Sequence, residues 1–170
     1  MKKQHILILS LLLLLAMPTV STAQSATDLF ISGLQKSKAN DQTGAIIDYT
    51  KSIALMPTTE TYYNRALAYM LTSKYAEAII DFDKVAEEKK DIAVFFFLRG
   101  SCKASLKDYK NAVLDFDKAI ALNRTYGKAY FSRGISKSAL QDKEGACQDL
   151  KKAVDLKYLK AEDVYKKACQ

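Results

Sequence analysis

Histidine is almost missing from this 170-residue chain, whose single copy is His5. Beyond that residue the usual near-neutral general base, the commonest metal ligand and the partner that activates a cysteine nucleophile are all absent. Glycine is scarce as well: six copies, scattered singly, form no loop that could cradle a phosphate. Two prolines and no long polar tract leave no room for a flexible linker, so one compact domain is expected. The three cysteines, Cys102, Cys147 and Cys169, lack the spacing of a redox or zinc motif. Carboxylates are numerous but single, and Asp115 and Asp117 straddle Phe116, so they leave a helix on different sides. The residues recommend no enzyme, no metal site and no cofactor.

Acidic residues are outnumbered by basic ones, 19 against 26, which gives a formal net charge of +7. The excess forms no block. It gathers loosely at Lys151, Lys152, Lys157, Lys160, Lys166 and Lys167, with Asp149, Asp155, Glu162 and Asp163 interleaved. That is the pattern of a solvated helix face, not of a nucleic-acid patch.

The long apolar run is confined to the start. Lys2 and Lys3 precede twelve residues, Ile6 to Met17, that are apolar apart from one serine, then Pro18 and the small-x-small triplet Ser21-Thr22-Ala23. This reads as a signal peptide over 1–23, cleaved after Ala23. The run falls short of the roughly 20 residues a membrane span needs, so no span is expected after cleavage. No cysteine follows it, which argues against a lipoprotein. A bacterial periplasmic or secreted product is expected.

The body of the chain consists of repetition. Ala45, Ala78, Ala112 and Ala146 recur at intervals of 33 or 34 residues, within GAIIDYTKSI, EAIIDFDKVA, NAVLDFDKAI and GACQDLKKAV. A preceding set carries Arg65, Arg99 and Arg133, again 34 apart. Ala112, Val113, Phe116, Ala119 and Ile120 follow the i, i+1, i+4, i+7, i+8 stripe of a helix. Asp41, Asp108 and Asp142 stand where a side chain can cap the start of such a helix. In every copy a lysine follows an aspartate by three residues (Asp48–Lys51, Asp81–Lys84, Asp115–Lys118, Asp149–Lys152), which reads as a surface pair. The three arginines are expected to pair with carboxylates at repeat edges. This period belongs to solenoids of stacked helical pairs.

These residues resemble the tetratricopeptide repeat, a 34-residue helix–turn–helix unit. Its bulky position 4 is Leu29, Tyr62, Phe96 and Tyr130; its small position 8 is Gly33, Ala66, Gly100 and Gly134. Position 20 is the alanine series, position 24 is Tyr49, Phe82, Phe116 and Leu150, and position 27 is Ser52, Val85, Ala119 and Ala153. The chain departs from the pattern where only Pro57 ends a repeat and where Lys36 replaces the usual aromatic. The resemblance implies an all-α, right-handed solenoid of four antiparallel helix pairs, over about 26–58, 59–92, 93–126 and 127–160, with a capping helix at 161–170.

It further implies that the first helix of each pair lines a concave groove. The groove residues would then be Phe30, Tyr63, Leu67, Met70, Phe97, Ser101, Phe131 and Ile135, a surface suited to a peptide or an amphipathic helix. The aromatics among them can equally pack between repeats. A carboxylate clamp, which some members build from lysine, asparagine and arginine, is not expected: Asn64 stands alone among Phe30, Leu34, Val94 and Leu98. The capping helix, stacked as the family would stack it, brings Cys169 toward Cys147 and implies a disulfide; the alternative is three reduced cysteines in the core. The expected function is a non-catalytic protein-interaction scaffold of the bacterial envelope, its partner a protein or peptide. A structural or self-associating role through the convex face or stack edge is the second reading.

Overall fold

The computed structural model describes residues 24–169; the signal peptide expected over 1–23 lies outside the described residues. The helices run in order as α1 (Ala26–Lys38), α2 (Gln42–Leu55), α3 (Thr59–Leu71), α4 (Tyr75–Glu88), α5 (Ala93–Ser105), α6 (Tyr109–Leu122), α7 (Gly127–Ala139), α8 (Lys143–Asp155) and α9 (Ala161–Cys169). Each packs on the next in sequence. Odd-numbered helices of neighbouring repeats also touch, α1 with α3 and α5 with α7, so they form the inner layer and even-numbered ones the outer. The result is an all-α solenoid of four antiparallel pairs closed by α9.

Local chemistry sets the helix ends. Ser25 caps α1 with a reciprocal box, its hydroxyl accepting from Asp28 N–H while the Asp28 carboxylate accepts from Ser25 N–H. Asp41, Asp108 and Asp142 accept from the backbone of Gly44, Asn111 and Gly145 and so start α2, α6 and α8. Within each pair the first helix ends in the same left-handed turn, at Asn40, Ser73, Lys107 and Gln141, with φ of 65°, 59°, 64° and 66°. The next N–H then reaches back over the turn, as in Asp108 to Lys103 O at 2.9 Å, to satisfy a terminal carbonyl.

Packing follows the repeat. Tyr49, Phe82, Phe116 and Leu150 are fully buried between the helices of their own pair, against the small residues of the first helix. The approach is tightest at glycine: a Cβ on Gly100 would stand 2.9 Å from Cε1 of Phe116, and one on Gly33 2.5 Å from Cε1 of Tyr49. Repeat two takes Ala66 at this place, beside Phe82.

The Asp–Lys surface pairs are corrected by the structure. Asp48, Asp81, Asp115 and Asp149 point inward and are buried. Arg65 donates through Nε to Asp81 at 2.8 Å, Arg99 to Asp115 at 2.9 Å and Arg133 to Asp149 at 2.8 Å. Each guanidinium also reaches one repeat back: Arg65 to Thr50, Arg99 to Asp83 and Arg133 to Asp117. Lys103 and Lys137 add a second cation to Asp115 and Asp149. In repeat one Ser32 and Lys36 take these parts at Asp48. The unexpected Lys36 is thus the cation of a repeat that lacks the arginine. These bonds raise the arginine pKa values: at Arg65 and Arg99 the carboxylate hydrogen bond leads, and at Arg133 desolvation opposes but is outweighed by Asp149 and Asp117. The network ties helix to helix and repeat to repeat, so the charge it holds is structural.

Candidate functional site

The inner layer opens a cleft of about 340 Å³ between α5 and α7. Its apolar part is Ala104, Phe116, Phe131 and Ile135; the hydroxyls of Ser101, Ser105, Tyr109 and Ser132 lie around it, and Ser136 is buried beneath. No lining side chain is charged. Ser101 Oγ donates to Phe97 O at 2.8 Å, Ser105 Oγ to Ser101 O at 3.0 Å and Ser136 Oγ to Ser132 O at 2.9 Å. With their protons donated within their own helix, the Ser101 and Ser105 hydroxyls present lone pairs to an incoming N–H. The cleft can therefore take an apolar side chain and accept hydrogen bonds around it. It holds no acid, base or activated nucleophile.

Of the eight groove residues expected from sequence, Ser101, Phe131 and Ile135 line this cleft, and Ile135 is 40% exposed. Phe97 needs correction as a partner-facing residue. It is only 4% exposed, its ring 5.8 Å from Phe116 and 5.1 Å from Tyr126, because the adjacent repeat closes over it. Phe30 packs on Tyr49, and Tyr63 on Phe82 and Phe95. Leu67 and Met70 are half-buried against the core of repeats two and three. Much of the aromatic row is thus inter-helix packing. Ser105 and Ser132 were missed; Ser105 stands one helical turn after Ser101, a spacing that would have shown it.

At the C-terminal end the sulfurs of Cys147 and Cys169 stand 2.00 Å apart, with 5.6 Å between the Cα atoms. Cys102 is buried, and desolvation pushes its thiol up to about 12, which leaves it unreactive. Among the described residues no group of three histidine, cysteine, aspartate or glutamate side chains could hold a metal ion. Among them, too, no helix is long and apolar enough to cross a membrane.

A family model described as tetratricopeptide repeat matches residues 59–92 and 93–126. No curated protein matches the chain by sequence. Among solved structures, the first such domain of Spaghetti (RPAP3), bound to the HSP90 peptide SRMEEVD, is 30% identical, with 65% of this chain and 89% of that one covered and a TM-score of 0.62. A MamA crystal structure is 25% identical over 74% of each chain, with a TM-score of 0.71. The Arabidopsis OM64 domain shares the fold at 24% identity, 66% and 94% coverage and a TM-score of 0.61. The helical period, the stacked pairs and these likenesses agree: the chain belongs to the tetratricopeptide repeat family.

Proposed function

We propose that this protein is a non-catalytic interaction scaffold whose concave groove receives an apolar peptide or helix segment, with an aliphatic side chain seated in the α5–α7 cleft. The observation that carries this reading is an open cleft with an apolar floor, unused hydroxyl acceptors and no charge, on a chain of net charge +7. A binding role is supported by RPAP3, a relative bound to a peptide. That peptide carries two glutamates and an aspartate. By the repeat register, Phe30, Leu34, Val94 and Leu98 take the places around Asn64 where a carboxylate clamp would need cations, so the favoured ligand is apolar.

The proposed setting is the bacterial periplasm or exterior, reached by cleavage after Ala23, with Cys147 and Cys169 oxidised there. The support is the pattern of residues 1–23 and the approach of the two sulfurs. Intact mass of the protein from its native host tests both: a chain beginning at Gln24 and lacking two thiol hydrogens is expected. A chain that retains residues 1–23, or has three free thiols, would contradict the setting.

Capture from native extract on immobilised residues 24–170 tests the groove, with Ile135→Glu and Ala104→Arg variants beside the wild type. Both changes place charge in the cleft at accessible positions, and circular dichroism checks folding. A partner held by the wild type and lost by both variants is expected. Equal retention, or recovery of nothing but further copies of the chain, would overturn the groove reading.

A further inference from the structure

The outer layer carries a separate pattern. Ile47, Ile80 and Leu114 occupy the same place in α2, α4 and α6 and are 50%, 62% and 60% exposed; in α8 the place is Gln148. Four residues later, in all four helices, comes an exposed lysine: Lys51, Lys84, Lys118 and Lys152. Residues four apart share a helix face, so an aliphatic and a cationic column run side by side across the repeats.

Asp48, Asp81, Asp115 and Asp149, three residues before these lysines, are turned inward to arginine and lysine of the inner helices. Among the described residues, Lys51, Lys118 and Lys152 therefore have no carboxylate within ion-pair distance, and Lys84 reaches only the exposed Glu87, at 3.4 Å. Asp83 and Asp117, on the same side, are already neutralised by Arg99 and Arg133. Single exposed aliphatics are ordinary. Three at one register, each with a cation one turn away that has no close ion pair or only a long one, match an apolar stripe beside an acidic one.

We propose that this outer face binds an acidic amphipathic helix of a protein partner, its apolar stripe on Ile47, Ile80 and Leu114 and its carboxylates on the lysine column. A helix supplies both stripes in parallel, one apolar and one acidic, to match the two columns. The surface is distinct from the concave groove, so this inference stands apart from the groove reading.

Fluorescence anisotropy with two labelled synthetic helices tests it, each with the same leucine stripe, one with a glutamate and one with a lysine polar face. The glutamate helix is expected to bind about tenfold more tightly than the lysine helix, and less tightly as salt rises. An Ile47→Ser, Ile80→Ser, Leu114→Ser variant and a Lys51→Glu, Lys84→Glu, Lys118→Glu variant should each weaken it about tenfold. Ile135→Glu should leave it unchanged. All these side chains are exposed, and circular dichroism verifies that the variants fold. Equal binding of the two helices, indifference to both triple variants, or loss on Ile135→Glu would overturn the proposal. So would tighter binding to phosphatidylglycerol vesicles than to the glutamate helix with the same dependence on the triple variants, which would make the face a membrane contact.

Discussion

Asp81 is held by one cation, Arg65, whereas Asp115 and Asp149 are each held by an arginine and a lysine. The three repeats therefore differ in what they lose with the arginine. Arg65→Met leaves a buried carboxylate alone, which costs about 3–5 kcal/mol. Arg99→Met should cost clearly less, because Lys103 remains on Asp115 at 2.8 Å. Urea unfolding of the two variants measures the gap; equal losses would contradict the division of labour. Asp48 adds a pH dependence. Desolvation pushes its carboxyl up, but the Lys36 and Ser32 hydrogen bonds and the Lys36 and Lys51 charges prevail and hold it below 3.8. With the folded value lowered, the native state binds fewer protons than the unfolded chain, so this stability is full above about 3.8 and fades as pH falls through the folded value. Unfolding followed from pH 6 down to pH 2.5 should show Asp48→Asn losing less stability than the wild type; parallel curves would contradict it.

At the scale of elements, the turn inside each pair is the informative one. All five left-handed residues of the described chain are non-glycine, and no glycine is left-handed. A side chain in that conformation costs about 1 kcal/mol relative to glycine. Lys107→Gly and Gln141→Gly should each stabilise the protein by about that amount, since both side chains are exposed and make no bond the turn needs. Thermal unfolding checks the sign, and a drop in midpoint would contradict it. The elements were also the legible part of the sequence. The 34-residue period places α3, α5 and α7, and the cap aspartates mark α2, α6 and α8, because both signals are local. That the arginines meet carboxylates was legible from their recurrence, but which carboxylates was not: Lys51 and its counterparts are close along the helix, whereas Arg65 and Asp81 meet across a helix pair, 16 residues apart. Phe97 failed for a related reason. Its helix register shows which side it faces, but the closing of Tyr126 over it is a contact between repeats.

As a whole the molecule is a chain of neighbours, so a perturbation at one end should stay there. The link between Cys147 and Cys169 joins α8 to α9 across a sequence separation of 22. Opening a loop of that size removes about 3 kcal/mol of restraint on the chain-entropy model. Reduction, or Cys169→Ser, should speed amide exchange in α9 at least about tenfold while α3 to α6 keep their protection. Uniform acceleration would show that the cap supports the whole stack. The groove depends on the same architecture: the inner helices are held in register by the arginine network, and that register sets the spacing of α5 and α7.

The central claim is that this spacing makes a place for a partner. A photoreactive residue at Ser105, on the rim of the α5–α7 cleft, activated in native extract with Lys110 on α6 outside the cleft as the comparison, tests it most directly. The account predicts an adduct from Ser105 with a different protein, through a segment that is apolar and carries no acidic cluster. No such adduct from Ser105, or an adduct with nothing but another copy of the chain, would contradict it.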